Sequence, residues 1–213
     1  MARILIFGDS ITYGAWDKEG GWVARLRKWI DEKNLSDSDF YCLVYNQGIS
    51  GDTSKDILER FEFETNMRIN EKDSGLIFIF AIGGNDSAFV HSKKNASIPE
   101  KEFGGNLLRL IKEARQFSSK IIFVGLIPQD ESKVNPVPWN KSISYKNEYV
   151  KKYDEIIKQI CKENNVLFIE LFDKFSKMNY KKLLEDGCHP NSEGHKIMFE
   201  AVRNFLVKNK LIQ

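Results

Sequence analysis

Ser10, Asp186 and His189 are the side chains of this sequence whose types and spacing suit covalent chemistry. A serine hydroxyl is a weak nucleophile, so cleaving an ester near neutral pH needs a base to take its proton, and imidazole titrates in the suitable range. His189 is the candidate base. Asp186 lies three residues before it and Pro190 directly after it, in a tight loop that puts a carboxylate within reach of the ring N–H. The bland alternative for Asp186 is an aspartate that caps a turn before Pro190, and for Ser10 a helix N-cap after a strand. His91 and His195 lie in or beside polar stretches with no anchoring carboxylate motif or proline, and both are expected at the surface.

As an ester carbonyl becomes tetrahedral its oxygen gains negative charge, and donors fixed around that position lower the barrier. The backbone N–H groups of Ser10 and Gly48 and the amide of Asn85 would supply three. A side chain at position 48 would crowd the substrate, although a turn needing positive φ explains the glycine equally well. Asn85 would also serve as a turn cap. Asp9 and Asp86 each abut one of these residues and are expected to brace its turn through backbone hydrogen bonds, so Asp9, Asp52 and Asp86 are not read as a metal site. Neither a metal nor another cofactor is expected. Cys188, beside His189, reads as a small packed side chain and not as a redox switch.

Such residues work only if the chain brings them to one place. Ile4 to Phe7 is a short apolar run that reads as a central strand buried on both faces, with Ser10 just beyond its carboxyl end, where open parallel sheets bind ligands. Phe40 to Tyr45 predicts a second strand ending at Asn46-Gln47-Gly48, and Leu76 to Ile82 a third ending at Gly83-Gly84-Asn85-Asp86. Ile121 to Ile127 and Val166 to Leu171 complete five strands.

Between the strands, apolar spacing predicts helices over about Trp22 to Lys33, Ser54 to Asn66, Pro99 to Phe117, Tyr145 to Glu163 and Ser192 to Val207, with a short helical piece over Tyr180 to Glu185. Thr53 and Asp56 form a capping box for the second of these. Alternating strands and helices imply an α/β fold, a three-layer αβα sandwich around a flavodoxin-like five-stranded parallel sheet of order 2-1-3-4-5. That order brings Ser10, Gly48 and Asn85 together. Pro128 to Ser144 is the longest irregular stretch and the candidate substrate-facing loop.

Composition bounds the rest. At 213 residues with 42% hydrophobic content, the chain can bury a sizeable core and is expected to form one domain over residues 1–213. Its 32 basic and 30 acidic residues nearly cancel, which disfavours nucleic acid or an anionic membrane as partner. No run approaches a membrane span and none near the amino terminus matches a signal-peptide core. Three cysteines without CxxC spacing argue against a disulfide framework or zinc cage, so a reduced, cytoplasmic protein is expected.

Gly8-Asp9-Ser10, Asn46-x-Gly48, Gly83-x-Asn85-Asp86 and Asp186-x-x-His189-Pro190, taken together and in this order, resemble the SGNH hydrolase family, also called GDSL esterases and lipases. The motifs span residues 8 to 190, and Ile11 stands where GDSL has leucine. The resemblance implies Ser10 as nucleophile, Asp186 and His189 as the rest of a triad, and Gly48 and Asn85 completing an oxyanion hole with Ser10. It implies a serine esterase acting through an acyl-enzyme on a small-molecule ester.

Ser87 to Pro99 and Gln129 to Ser144, expected to rim the site, are mainly polar, which favours short acyl groups on a polar alcohol or carbohydrate. A lysophospholipase or acyl-thioesterase is the alternative within the family. A flavodoxin-like or carbohydrate-binding domain without turnover is the alternative outside it, and it leaves Asn85 and the Asp186 to His189 pair without a common purpose.

Overall fold

The computed structural model describes residues 2–70 and 75–212. Its strands are β1 (Ala2–Gly8), β2 (Cys42–Gly48), β3 (Gly75–Ala81), β4 (Phe89–Val90), β5 (Asn95–Ala96), β6 (Lys120–Val124), β7 (Ile143–Ser144) and β8 (Leu167–Ile169). The helices are α1 (Ser10–Tyr13), α2 (Gly21–Ser36), α3 (Ser54–Asn66), α4 (Glu100–Ala114), α5 (Glu131–Val134), α6 (Asn147–Glu163), α7 (Phe172–Ser176) and α8 (Ser192–Lys208), with a 3₁₀ turn at Tyr180–Leu183.

The main sheet runs β2-β1-β3-β6-β8 with every pair parallel, which is the expected 2-1-3-4-5 order. Alternation along each central strand explains its unbroken apolar run. Ile4 and Ile6 of β1, with Ile77 and Ile79 of β3, enter a core closed by α2 and α8. Leu5, Phe7, Phe78 and Phe80 point the other way, into a core closed by α3, α4 and α6. There Phe7 and Phe61 lie 5.1 Å apart and Phe80 and Phe123 5.0 Å apart, so large rings fill that layer.

Gly8 pairs with Gly48 on one side and Ala81 on the other. Three strands therefore end level, and the turns after them share one edge.

Several expectations need correction. The second strand starts at Cys42, because the chain is still turning at Phe40, whose N–H bonds the Asp37 carbonyl. The fourth ends at Val124: the Gly125 N–H still bonds Ile169 O, but the next N–H, that of Leu126, goes to Asp154 Oδ1 at 2.7 Å and the chain leaves the ladder. A small antiparallel sheet of order β5-β4-β7 forms from two-residue strands too short to carry a periodic signal.

His195 is fully buried and not at the surface. His195 joins Met198, Val202 and Leu206 on the inward stripe of α8. Its Nε2 lies 3.3 Å from Ala15 O, and burial lowers its pKa to about 4. His91 is exposed, as expected, with Nε2 2.8 Å from Ser144 Oγ. No described helix is long and apolar enough to cross a membrane.

Candidate active site

Ser10 is the first residue of α1, and the Asp9 carboxylate caps that helix by accepting the Ile11 N–H at 3.0 Å. A first-turn N–H has no partner within its helix, so that of Ser10 stays free to donate outward. Burial raises Asp9 to about 6, against the pull of that N–H and of His189. The turn delivers Ser10 Oγ to 2.8 Å from His189 Nε2.

His189 Nδ1 lies 2.7 Å from Asp186 Oδ2. The other carboxylate oxygen, Oδ1, accepts the backbone N–H groups of Cys188 at 3.0 Å and His189 at 2.9 Å. Burial alone would raise Asp186, but the bonds from His189 and these two N–H groups outweigh it and hold the carboxyl well below the ordinary range. Asp186 is thus an acceptor that keeps the imidazole in the tautomer with a proton on Nδ1 and a lone pair on Nε2.

Asn85 reaches the same edge from the turn after β3. Its Oδ1 accepts the Tyr145 hydroxyl at 2.7 Å, which fixes the amide's orientation, and its Nδ2 donates to Asp52 O at 2.9 Å. The second Nδ2 hydrogen remains for a ligand. Asp52 is held in turn by Arg60, at 2.7 Å across the ion pair.

Gly48 does not fit the role expected of it. Its N–H is spent on Asn46 Oδ1 at 2.9 Å, and a Cβ there would sit 2.2 Å from Tyr13 N. The glycine lets β2 and α1 approach closely. Gly51, three residues on, has φ +93°, open space beside its Cα, and an N–H with no partner among the described residues. It directly precedes Asp52, whose carbonyl holds the Asn85 amide, so it is the better placed donor. The Asn46 to Asp52 stretch carries two glycines, and only the hydrogen bonds reveal which N–H is available.

Asp86 also differs from expectation. Fully buried, it reaches across to the start of α3, accepting the Ser54 N–H at 3.0 Å and hydroxyl at 2.5 Å, and burial pushes it up to about 7. Cys188 packs with Val134 and Val137, and burial and the nearby Asp186 raise its thiol. It is a neutral, packed side chain.

Trp16 was not singled out from the sequence. Its Nε1–H donates to Asp186 Oδ2 at 2.7 Å and lies 3.0 Å from His189 Nδ1, with the two rings edge to face at 5.8 Å. The residue sits at φ +65°, a conformation rare for a bulky side chain, and is 63% exposed. With Tyr13 and Trp139 it walls an open cleft of about 1000 Å³ that reaches His189 and Ser50.

Beneath the cleft a pocket of about 30 Å³ is lined by Ser10, Gly84, Asn85, Gln129, Tyr145 and His189. The stretch from Gln129 to Ser144 supplies Gln129 and Trp139, whereas no residue of Ser87 to Pro99 lines either space, because that segment folds into the small sheet.

The all-parallel five-stranded sheet flanked by helices, with polar turns gathered at its carboxyl edge, is the α/β fold of the SGNH hydrolases. A family model described as the GDSL-like Lipase/Acylhydrolase family matches residues 6–197, and the chain belongs to that family and is a carboxylic ester hydrolase. It is 26% identical to the isoamyl acetate-hydrolyzing esterase 1 homolog of Bos taurus, over 92% of this chain and 78% of that protein. It is 25% identical to an acetylxylan esterase of Geobacillus stearothermophilus, over 93% of this chain and 91% of that one. Among solved structures, a lipase/acylhydrolase from Enterococcus faecalis superposes with a TM-score of 0.75 at 22% identity, covering 97% of this chain and 95% of that one.

Proposed function

We propose that the protein is a serine esterase that forms an acyl-enzyme on Ser10, with His189 as general base and Asp186 as its orienting carboxylate. The observation that carries this reading is the continuous line from Ser10 Oγ to His189 Nε2 at 2.8 Å and from His189 Nδ1 to Asp186 Oδ2 at 2.7 Å. Ser10 Oγ attacks the acyl carbon as its proton passes to Nε2. Collapse of the tetrahedral intermediate expels the alcohol, which takes that proton from His189. Water, deprotonated by the same nitrogen, then releases the acid and frees Ser10. The N–H groups of Ser10 and Gly51 and the free Nδ2 hydrogen of Asn85 stabilise the oxyanion, with Gly51 in the place first assigned to Gly48.

For the substrate, the reading is an acetyl-type ester of a polar alcohol or carbohydrate. Three observations support it. The pocket beside Ser10 is only about 30 Å³, room for a very short acyl group. The cleft above it is wide and walled by exposed Tyr13, Trp16 and Trp139, whose ring faces suit the C–H faces of a sugar. The bovine and bacterial relatives are named for isoamyl acetate and acetylxylan, two acetyl esters with different alcohols. A second reading, a long acyl chain laid along the cleft, draws on the same aromatic walls. The free, buried thiols of Cys42, Cys161 and Cys188 favour a reducing compartment such as the cytoplasm.

Reaction with a fluorophosphonate followed by peptide mapping tests the nucleophile, with the adduct expected on Ser10 and an adduct elsewhere overturning the assignment. Kinetics on p-nitrophenyl esters from acetate to palmitate test the acyl group. An optimum at acetate is expected, and an optimum at eight carbons or more would transfer the assignment to the long-chain reading.

A further inference from the structure

We propose that the side chain of Gln129 is the wall that limits the acyl group to acetyl size, and that it separates the acyl site from a second, apolar cavity. The proposal rests on the reading of the Ser10 pocket as the acyl site. That pocket, of about 30 Å³, and an inner cavity of about 40 Å³ share Asp9, Ile11, Gly84 and Gln129 as lining. Beyond these shared residues the inner cavity is apolar, bounded by Ala81, Val124, Val150 and Met198 among others.

Of the four shared residues, Gly84 has no side chain and Asp9 is committed to capping α1. Ile11 belongs to the same turn as Ser10. Gln129 is the one whose side chain can be shortened without touching the elements that carry Ser10. Its backbone is held independently, since its N–H donates to Asn147 Oδ1 at 2.7 Å and its carbonyl accepts from Asn147 Nδ2 at 2.8 Å. The loop path therefore survives loss of the side chain.

The Gln129 amide is only 5% exposed, and its orientation is fixed because Nε2 donates to Ile127 O at 2.9 Å. That leaves Oε1 buried with no donor among the described residues. An acyl chain longer than acetyl would have to displace this amide from the space it fills, so further methylenes are rejected by its bulk. Cutting the side chain back to alanine joins the two spaces and opens a path toward Met198.

The test compares kcat/KM for p-nitrophenyl acetate, butyrate and hexanoate in wild type, Gln129→Ala and Gln129→Met, with thermal unfolding run on each. In Gln129→Ala the butyrate to acetate ratio should rise by about tenfold or more, since each newly buried methylene is worth roughly fourfold. Gln129→Met keeps the volume and should keep the wild-type ratio. Should Gln129→Ala fail to fold, Gln129→Ser serves in its place with the same expected shift. A folded alanine or serine variant whose chain-length profile superposes on that of wild type would overturn the wall while leaving the acetyl reading intact. An equal shift in the methionine variant would overturn it too, because polarity and not bulk would then set the limit. A wild-type optimum at long chains would overturn the acetyl reading and the wall together.

Discussion

The indole N–H of Trp16 and the Nδ1 of His189 converge on one oxygen, Asp186 Oδ2, each at 2.7 Å. A carboxylate oxygen shared by two donors gives each less of its charge, so Trp16 competes with His189 for Asp186. Trp16→Phe keeps an aromatic ring and removes the donor. In that variant the whole charge of Oδ2 faces the imidazole, which better supports the cation formed as Ser10 is deprotonated. Steady-state kinetics on p-nitrophenyl acetate should therefore show a rise in kcat with KM little changed. A variant that changes KM alone would make Trp16 a substrate contact only.

Asn85→Ala should lower kcat by about 10²- to 10³-fold with KM little changed, the loss typical of one oxyanion donor. Tyr145→Phe, which frees Asn85 Oδ1, should cost less, because the Asp52 carbonyl still holds Nδ2. Steady-state kinetics on p-nitrophenyl acetate check both. A larger effect at Tyr145 than at Asn85 would contradict the assignment.

Gly48 and Gly51 separate a structural glycine from a functional one. A methyl at position 48 collides with backbone, 2.2 Å from Tyr13 N, so Gly48→Ala should lower Tm substantially or prevent folding. Gly51→Ala meets open space and suffers only the strain of φ +93°, on the order of 1 kcal/mol. Its kcat should fall by more than that modest loss of Tm explains. A Gly51→Ala enzyme with normal kcat would remove Gly51 from the oxyanion site.

His195 makes stability sensitive to acid. Its folded pKa, about 4, lies below the unfolded value near 6.5, so the unfolded chain binds the proton first as pH falls. The contribution is complete above about pH 6.5 and is lost progressively toward pH 4, up to roughly 3 kcal/mol by linkage. His195→Gln should flatten that part of the profile of unfolding free energy against pH. An unchanged slope between pH 6.5 and 4 would show that His195 is not its source.

The order of the main sheet was legible because strands buried on both faces must be apolar throughout, as Ile4 to Phe7 and Ile77 to Phe80 are. Ser10, His189 and Asp186 of the candidate site were legible because two short motifs hold them, one at a strand end and one in a loop where Asp186 lies three residues before His189. Trp16 was not, since its partner lies 170 residues away and nothing local marks an indole bent over a carboxylate by a positive φ. Gly48 and Gly51 share a turn, and only tertiary hydrogen bonds decide which N–H is spent. Gln129 looked like one polar residue of an irregular loop. Its place between two cavities depends on how Asn147, a neighbour in space, holds the backbone.

The central claim is that Ser10 carries the acyl group, and the most direct measurement is kcat/KM of Ser10→Ala on p-nitrophenyl acetate, with Tm measured on the same preparation. The expected result is a fall of about 10⁴-fold or more with Tm close to wild type, since no other proposed group attacks the ester. A folded Ser10→Ala protein that turns over within tenfold of wild type would contradict the acyl-enzyme mechanism.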